Sequence, residues 1–424
     1  MSIDDAGPLQ TRDAGTLRPE VAPAPRAKAD RRILGLDVAR SIALIGMVAT
    51  HIFPMVDQND GTPSLAWELF AGRAMALFIV VAGIGLAISS GGARPPAPGE
   101  RSGVAAAIAT RAVLLTIIGL ALGQVVTRTY VILPFYGVMF LLAVPLLRLS
   151  PRRLVGVAAA TTIAAPVLMQ GVRDSLPFPS YTPGGEYVNP TFGSLAHPGR
   201  LLSELFLTGV YPALPLMVYI CVGIALGRLL VGVAASNRSA LPAVACRLFL
   251  GGIVLALLAS WGSSLLLHQA HGLDHIREAS TNLDDEQIND VLVWGPDPTL
   301  PTTTWWWLAI KAPHSSTPLD LMHTVGTSVA AVGGSVLLGM MARRTIRPLA
   351  TAGTMTLSLY CLHVLATQTY LIHAAMVWFL VQLGAAGTFA ILWQRRFGQG
   401  PLERVVAEVA SSAKALVVRA PRST

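Results

Sequence analysis

ILGLDVARSIALIGMVATHIF, residues 33–53, is an apolar run that carries three ionisable side chains, Asp37, Arg40 and His51. About 20 apolar residues suffice to cross a bilayer as a helix. Ionisable groups inside such a helix are costly and mark a site or pathway by default. At 3.6 residues per turn, Arg40 falls about 60° short of a full turn from Asp37, and His51 about three turns beyond Arg40. All three share one narrow face, which must look into a bundle or a wet cavity and not at lipid. The same residues also admit a plainer reading, a structural Asp37–Arg40 pair with His51 as an interfacial anchor.

The rest of the chain agrees with a membrane protein. Of 424 residues, 53% are hydrophobic and only 13% are charged, and the mean hydropathy is +0.58. Soluble domains carry about twice that charged fraction. The net charge of +8 arises from 28 Arg and 3 Lys against 23 acids. In a membrane protein such an excess reports cytoplasmic loops and anionic lipid. No basic patch is interleaved with aromatics, so the expected partner is the lipid bilayer, with no nucleic acid. Cys221, Cys246 and Cys361 stand singly in apolar segments, without metal-ligand spacing or a disulfide framework.

Three regions follow. Residues 1–30, rich in Pro, Ala, Asp and Arg, have no apolar core and read as a disordered cytoplasmic tail. Residues 31–398 form the transmembrane domain, and 399–424 an amphipathic cytoplasmic helix and tail. Hydropathy gives an all-α integral membrane bundle of about ten spans, near 33–53, 66–89, 104–125, 130–148, 154–172, 209–231, 243–267, 319–342, 348–371 and 374–393. Arginines cluster in alternate connections, at Arg94/Arg101, Arg148/Arg152/Arg153, Arg228/Arg238, Arg343/Arg344/Arg347 and Arg395/Arg396. These connections are expected in the cytoplasm, with both termini. The 268–318 loop, with seven acids, one Arg and one Lys, then lies outside with the 173–200 loop. Prolines and aromatics in both loops, including Trp305–Trp306–Trp307, suit a lid over an outward cavity or an interfacial aromatic belt. Leu201–Leu207 reads as a short re-entrant or interfacial helix. Multi-pass placement in the plasma membrane follows, and a homodimer is compatible with the sequence.

Depth along these spans brings candidate residues to one leaflet. His51 ends span one, Arg73 lies near the outer end of span two, and Asp320 and His323 begin span eight. His314 lies just before span eight. His363 falls in the outer half of span nine, and Glu204 and Tyr211 mark the outer start of span six. Each lone histidine could be a packing residue, but convergence on one side points to a site. Thr356, Tyr360, His363, Thr367 and Tyr370 recur at helical spacing and form one polar face, either glue between helices or the lining of a tunnel towards His363. Histidine suits general-base work near neutral pH. The candidate histidines are irregularly spaced, with no i,i+4 pair among them on one helix, so no metal is predicted.

GLDVARSIALIGM (35–47), GRAMALF (72–78) followed by Gly83 and Gly85, TGVYP (208–212) followed by Gly223 and Gly227-Arg228, GTMTLSLY (353–360) and GPLE (400–403) together resemble the heparan-α-glucosaminide N-acetyltransferase-like membrane proteins and the bacterial YeiB-like group. The Asp37-x-x-Arg40…His51 pattern is also similar to the acyltransferase-three family, whose corresponding helix carries an essential His. The resemblance implies transfer of an acyl group, acetyl foremost, from acyl-CoA (acetyl-CoA) to an extracytoplasmic sugar or lipid-linked glycan. The heparan-type enzymes place a catalytic His in the loop after the first helix. Here Pro54–Ala66 has none, so the role of base passes to His51, or to His314 or His363. Donor and acceptor would be met by Asp37, Arg40, Arg73, Glu204, Tyr211, Asp320, His323 and Tyr360. A transporter or exporter of a small polar or lipid-linked substrate is the alternative use of the same polar interior.

Overall fold

The structure is a computed structural model that describes residues 33–57, 60–182, 187–369, 372 and 374–419. The expected tail, 1–30, lies outside the described residues, as does Tyr370. Helix α1 (Leu34–Ile52) is the quoted apolar run, with Asp37 in its first turn and His51 in its last. It is followed by α2 (Leu65–Phe70), capped by Ser64, whose Oγ accepts the Trp67 N–H at 3.3 Å. Gly72 turns the chain with φ of +70°, a conformation that L side chains rarely adopt, and so starts α3 (Arg73–Ser89) at Arg73. There follow α4 (Arg101–Gly123), α5 (Leu133–Leu146), α6 (Pro151–Val172), the short α7 (Pro198–Ser203), α8 (Ala213–Ser236) and α9 (Leu241–Ser264). The polar connection holds α10 (Gly272–Ala279) and α11 (Asp285–Trp294). The chain closes with α12 (Pro318–Met341), α13 (Arg347–Ala352), α14 (Thr356–Ala366), α15 (Ala375–Phe397) and α16 (Pro401–Arg419).

Among the described residues, eight helical segments are long and apolar enough to cross a membrane: Leu34–Ile52, Leu65–Ser89, Pro98–Gly123, Pro151–Ser175, Ala213–Ser236, Arg238–Gln269, Pro318–Met341 and Ala375–Phe397. Whole faces of α9 and α15 present Leu250, Val254, Leu257, Trp261, Leu380 and Leu392 outward. Apolar faces of that extent belong against lipid, not water. Inside the bundle, α3 crosses α8 with their backbones nearly touching. A Cβ on Gly83 would lie 2.7 Å from the Ile220 carbonyl oxygen, and one on Gly223 would collide with Val80. Small residues at a crossing are the common device for close packing in membranes.

Two of the ten expected spans are shorter than expected. The fourth is the 14-residue α5, and the ninth, expected as one helix over 348–371, is broken between α13 and the 11-residue α14. The break has a distant cause. Glu403, at the start of α16, accepts the Leu357 and Ser358 N–H groups at 2.7 and 3.1 Å and the Ser358 hydroxyl at 2.5 Å. A carboxylate on the orphan N–H groups of a first turn lets a helix begin there. The two C-terminal motifs, GTMTLSLY and GPLE, are thus one structural unit. The other end of α16 packs on α4, with Val418 and Lys414 over Gly103.

The connection between α9 and α12 folds on itself. Ile276, Ile288, Leu300, Trp307, Ile310 and Ala312 form a separate small core. Trp307 is fully buried within it, so this member of the triplet belongs to neither an interfacial belt nor a ligand surface. Trp306 stacks on His275 with ring centroids 5.4 Å apart, and only Trp305 is largely exposed. Trp294 meets Trp67 of α2, and Gly295 abuts the Pro313 carbonyl. This small unit therefore covers the end of the bundle where His51 lies. On the sequence side of α8, the expected short helix over Leu201–Leu207 is α7 followed by one wide turn, Glu204–Thr208.

Candidate active site

The histidines of α1 and α14 meet. His51 Nδ1 lies 2.9 Å from His363 Nε2, and the rings are parallel within 2°. His363 Nδ1 is in turn 2.7 Å from the amide oxygen of Gln382 on α15. His363 is buried, while His51 is half-buried. His314, from the 311–317 loop, lies within electrostatic reach of His51. Its ring meets Tyr211 edge-on with centroids 5.8 Å apart. Burial holds the His314 imidazolium well below its usual range, to about 4, so the ring is neutral at physiological pH.

The loop that carries His314 is tightly wound. His314 and Ser316 both take the left-handed conformation, with φ of 59° and 55°, a costly choice for non-glycine residues. It is held by Asp320, whose Oδ2 accepts the Ser316 N–H at 3.1 Å, and by Thr317, which caps α12 and donates to the Ile310 carbonyl at 2.6 Å. The Pro313–His314 backbone rests on Gly72, where a Cβ would stand 3.5 Å from Pro313.

Arg73 and His323 form a second polar group. Arg73 Nε donates to His323 Nε2 at 3.1 Å, and Nη1 donates to the Glu68 carbonyl. His323 Nδ1 faces the Ala256 carbonyl and Ser260 Oγ, both at 3.1 Å, and Lys311 donates to the same hydroxyl at 3.2 Å. Arg73, Lys311 and Asp320 act on one another electrostatically. Beside Tyr211, Glu204 accepts a hydrogen bond from the buried Tyr187 hydroxyl.

The structure therefore divides the sequence candidates. His51, His363 and His314 come together with Tyr211. Arg73, His323 and Asp320 form the neighbouring group. Tyr360 is buried against Phe78, and its hydroxyl accepts the Ile132 N–H at 3.2 Å. It ties α14 to the start of α5 and to α3. Asp37 and Arg40, joined at 2.7 Å, lie at the opposite end of α1. Sequence reasoning missed Gln382, Lys311 and Ser260. A lone amide in the first half of an otherwise apolar span was the available signal for Gln382. Among the described residues, no group of three His, Cys, Asp or Glu side chains is placed to hold a metal ion.

Glu204 gives the site a pH signature in stability. Burial raises its pKa from the usual carboxylate range to about 7, against the lowering effects of the Tyr187 hydroxyl and nearby Arg200. Between the unfolded value near 4.5 and about 7, the folded state holds a proton that the unfolded chain releases, so stability falls as pH rises through that window. Melting temperatures of the purified protein should decline from pH 5 to pH 7, and Glu204→Gln should flatten that decline. Parallel curves for wild type and variant would place the slope elsewhere.

Helices with lipid-facing sides and a buried histidine cluster at one end define a multi-pass membrane protein. The family described as "Heparan-alpha-glucosaminide N-acetyltransferase, catalytic" matches residues 32–263. The chain belongs to this family. The matched stretch contains His51, Arg73, Glu204 and Tyr211, while His314, His323 and His363 lie beyond it. No curated protein and no solved structure gives a significant match.

Proposed function

We propose that this protein is a plasma-membrane acetyltransferase that moves an acetyl group from acetyl-CoA to the amine or hydroxyl of an extracytoplasmic sugar or lipid-linked glycan. The observation that carries this reading is the His51–His363 pair, built at the end of a helix inside the family's matched region. In this reading His51 Nε2 takes the acceptor proton as the acceptor attacks the thioester carbonyl. The C–S bond breaks, a C–N or C–O bond forms, and His51 returns the proton to the departing CoA thiolate. Arg73 spends Nε and Nη1 on His323 and Glu68, and its Nη2 would face the developing oxyanion or a CoA phosphate. His314 and Tyr211 would line the acceptor side. Labelled acetyl-CoA offered with a panel of amino-sugar acceptors tests the activity. Acetylated product supports it, and none across the panel overturns it.

The orientation belongs to the same proposal. The arginine-rich connections favour the cytoplasm, which would put Asp37 and Arg40 on the donor side and His51 on the outer side. Tags at Thr424 and between Arg148 and Arg153 should report inside, and one near Asp285 outside. A Thr424 tag found outside would reverse the assignment.

A further inference from the structure

We propose that Gln382 is a positioning residue that fixes, through His363, which nitrogen of His51 carries a proton. The inference rests on the acetyltransferase reading for its consequence in turnover, but not for its chemistry. A neutral imidazole has one N–H donor and one lone-pair nitrogen. An amide oxygen only accepts. With Gln382 Oε1 at 2.7 Å, His363 Nδ1 must carry the hydrogen. His363 Nε2 is then a lone pair, and it can only receive from His51 Nδ1 at 2.9 Å. His51 Nε2 is left as the basic nitrogen. The parallel rings suit such an in-plane N–H···N bond.

The placement of Gln382 argues for this task over a packing role. The segment AMVWFLVQLGAAG (375–387) is apolar except for this amide. Much of α15 faces outward. The Gln382 Nε2 is buried without a partner among the described residues. Unmade amide hydrogen bonds at membrane depth are unfavourable, so a leucine would serve stability better. The bond accepted from His363 is what the amide contributes. Reversing the amide would turn over every proton in the chain. Nε2 would then donate to His363 Nδ1, His363 Nε2–H would donate to His51 Nδ1, and His51 would carry Nε2–H, unable to accept.

The test is nitrogen-15 NMR of histidine-labelled protein in lipid nanodiscs, with resonances assigned by single His→Asn variants. In the wild type, His51 and His363 should both be in the Nδ1–H form. Gln382→Leu should release His363 to a mixture containing Nε2–H, while the melting temperature stays near that of the wild type. Turnover should fall about 10- to 100-fold, the scale expected when a group that orients an imidazole is lost, with KM for acetyl-CoA little changed. Gln382→Glu, which keeps an acceptor oxygen, should restore the Nδ1–H form. An Nε2–H His51 in the wild type would overturn the proposal. So would unchanged tautomers in Gln382→Leu, with or without lost turnover. Tautomers are read on the resting protein, so a wild type that transfers no acetyl group would sink the enzymatic reading and not the hydrogen-bond chain.

Discussion

His51→Ala is expected to abolish acetyl transfer while leaving folding and donor binding intact. The substitution removes the lone-pair nitrogen that the acceptor proton would reach, and losing a general base typically costs about 10²–10⁴ in rate. His51 lies at the end of α1, about 16 Å along the helix from Arg40, so the Asp37–Arg40 pair stays intact. His51 is half-buried at the last turn of its helix, so truncation leaves a smaller void than at a core position. Turnover of labelled acetyl-CoA, with donor binding measured by calorimetry, checks both halves. Turnover at the wild-type rate in His51→Ala would move the base to His314 or His363. Loss of donor binding together with turnover would place His51 on the donor and not on the acceptor.

Asp37→Ala should act in the opposite manner, on the fold before the chemistry. Asp37 is almost fully buried, and Arg40 Nη1 donates to its Oδ1 at 2.7 Å. Removing the carboxylate leaves the guanidinium beside apolar helices without that partner. Breaking a buried pair in this way costs about 3–5 kcal/mol. Arg40 keeps 24% of its side chain exposed, so the effect belongs at the lower end of that range. Lower yield and a lower melting temperature are expected, with Asp37→Asn intermediate because it keeps an acceptor oxygen. A wild-type melting temperature in Asp37→Ala would show that the pair carries little of the stability of α1.

The helices of this bundle were legible because a helix that crosses a bilayer needs about 20 apolar residues whether it faces lipid or protein. Every long apolar helix overlaps an expected span, though several run a few residues beyond it. The break before α14 traces to an interaction far along the chain. Nothing local in GTMTLSLY says that α14 begins at Thr356, since the carboxylate that caps it arrives from Glu403. The same holds for the site. Depth along the spans placed His51 and His363 at one end of the bundle, but their pairing across 312 residues depends on how α1 and α14 pack. Gln382 stood out in the sequence as one amide in an apolar span, but nothing local says what it faces. Tyr360 fits the plainer of its two readings, glue between helices. Its polar face was visible in the sequence, and the structure spends it on the backbone of Ile132.

Sealed vesicles test directly the proposed passage of acetyl groups from a donor on one face of the membrane to an acceptor on the other. The purified protein can be reconstituted into sealed vesicles, with labelled acetyl-CoA on the Arg-rich side and an amino-sugar acceptor only on the His51 side. Labelled product is expected in the acceptor compartment with wild type and none with His51→Ala. Acceptor that crosses the membrane unacetylated, with acetyl-CoA untouched, would contradict it and identify a transporter.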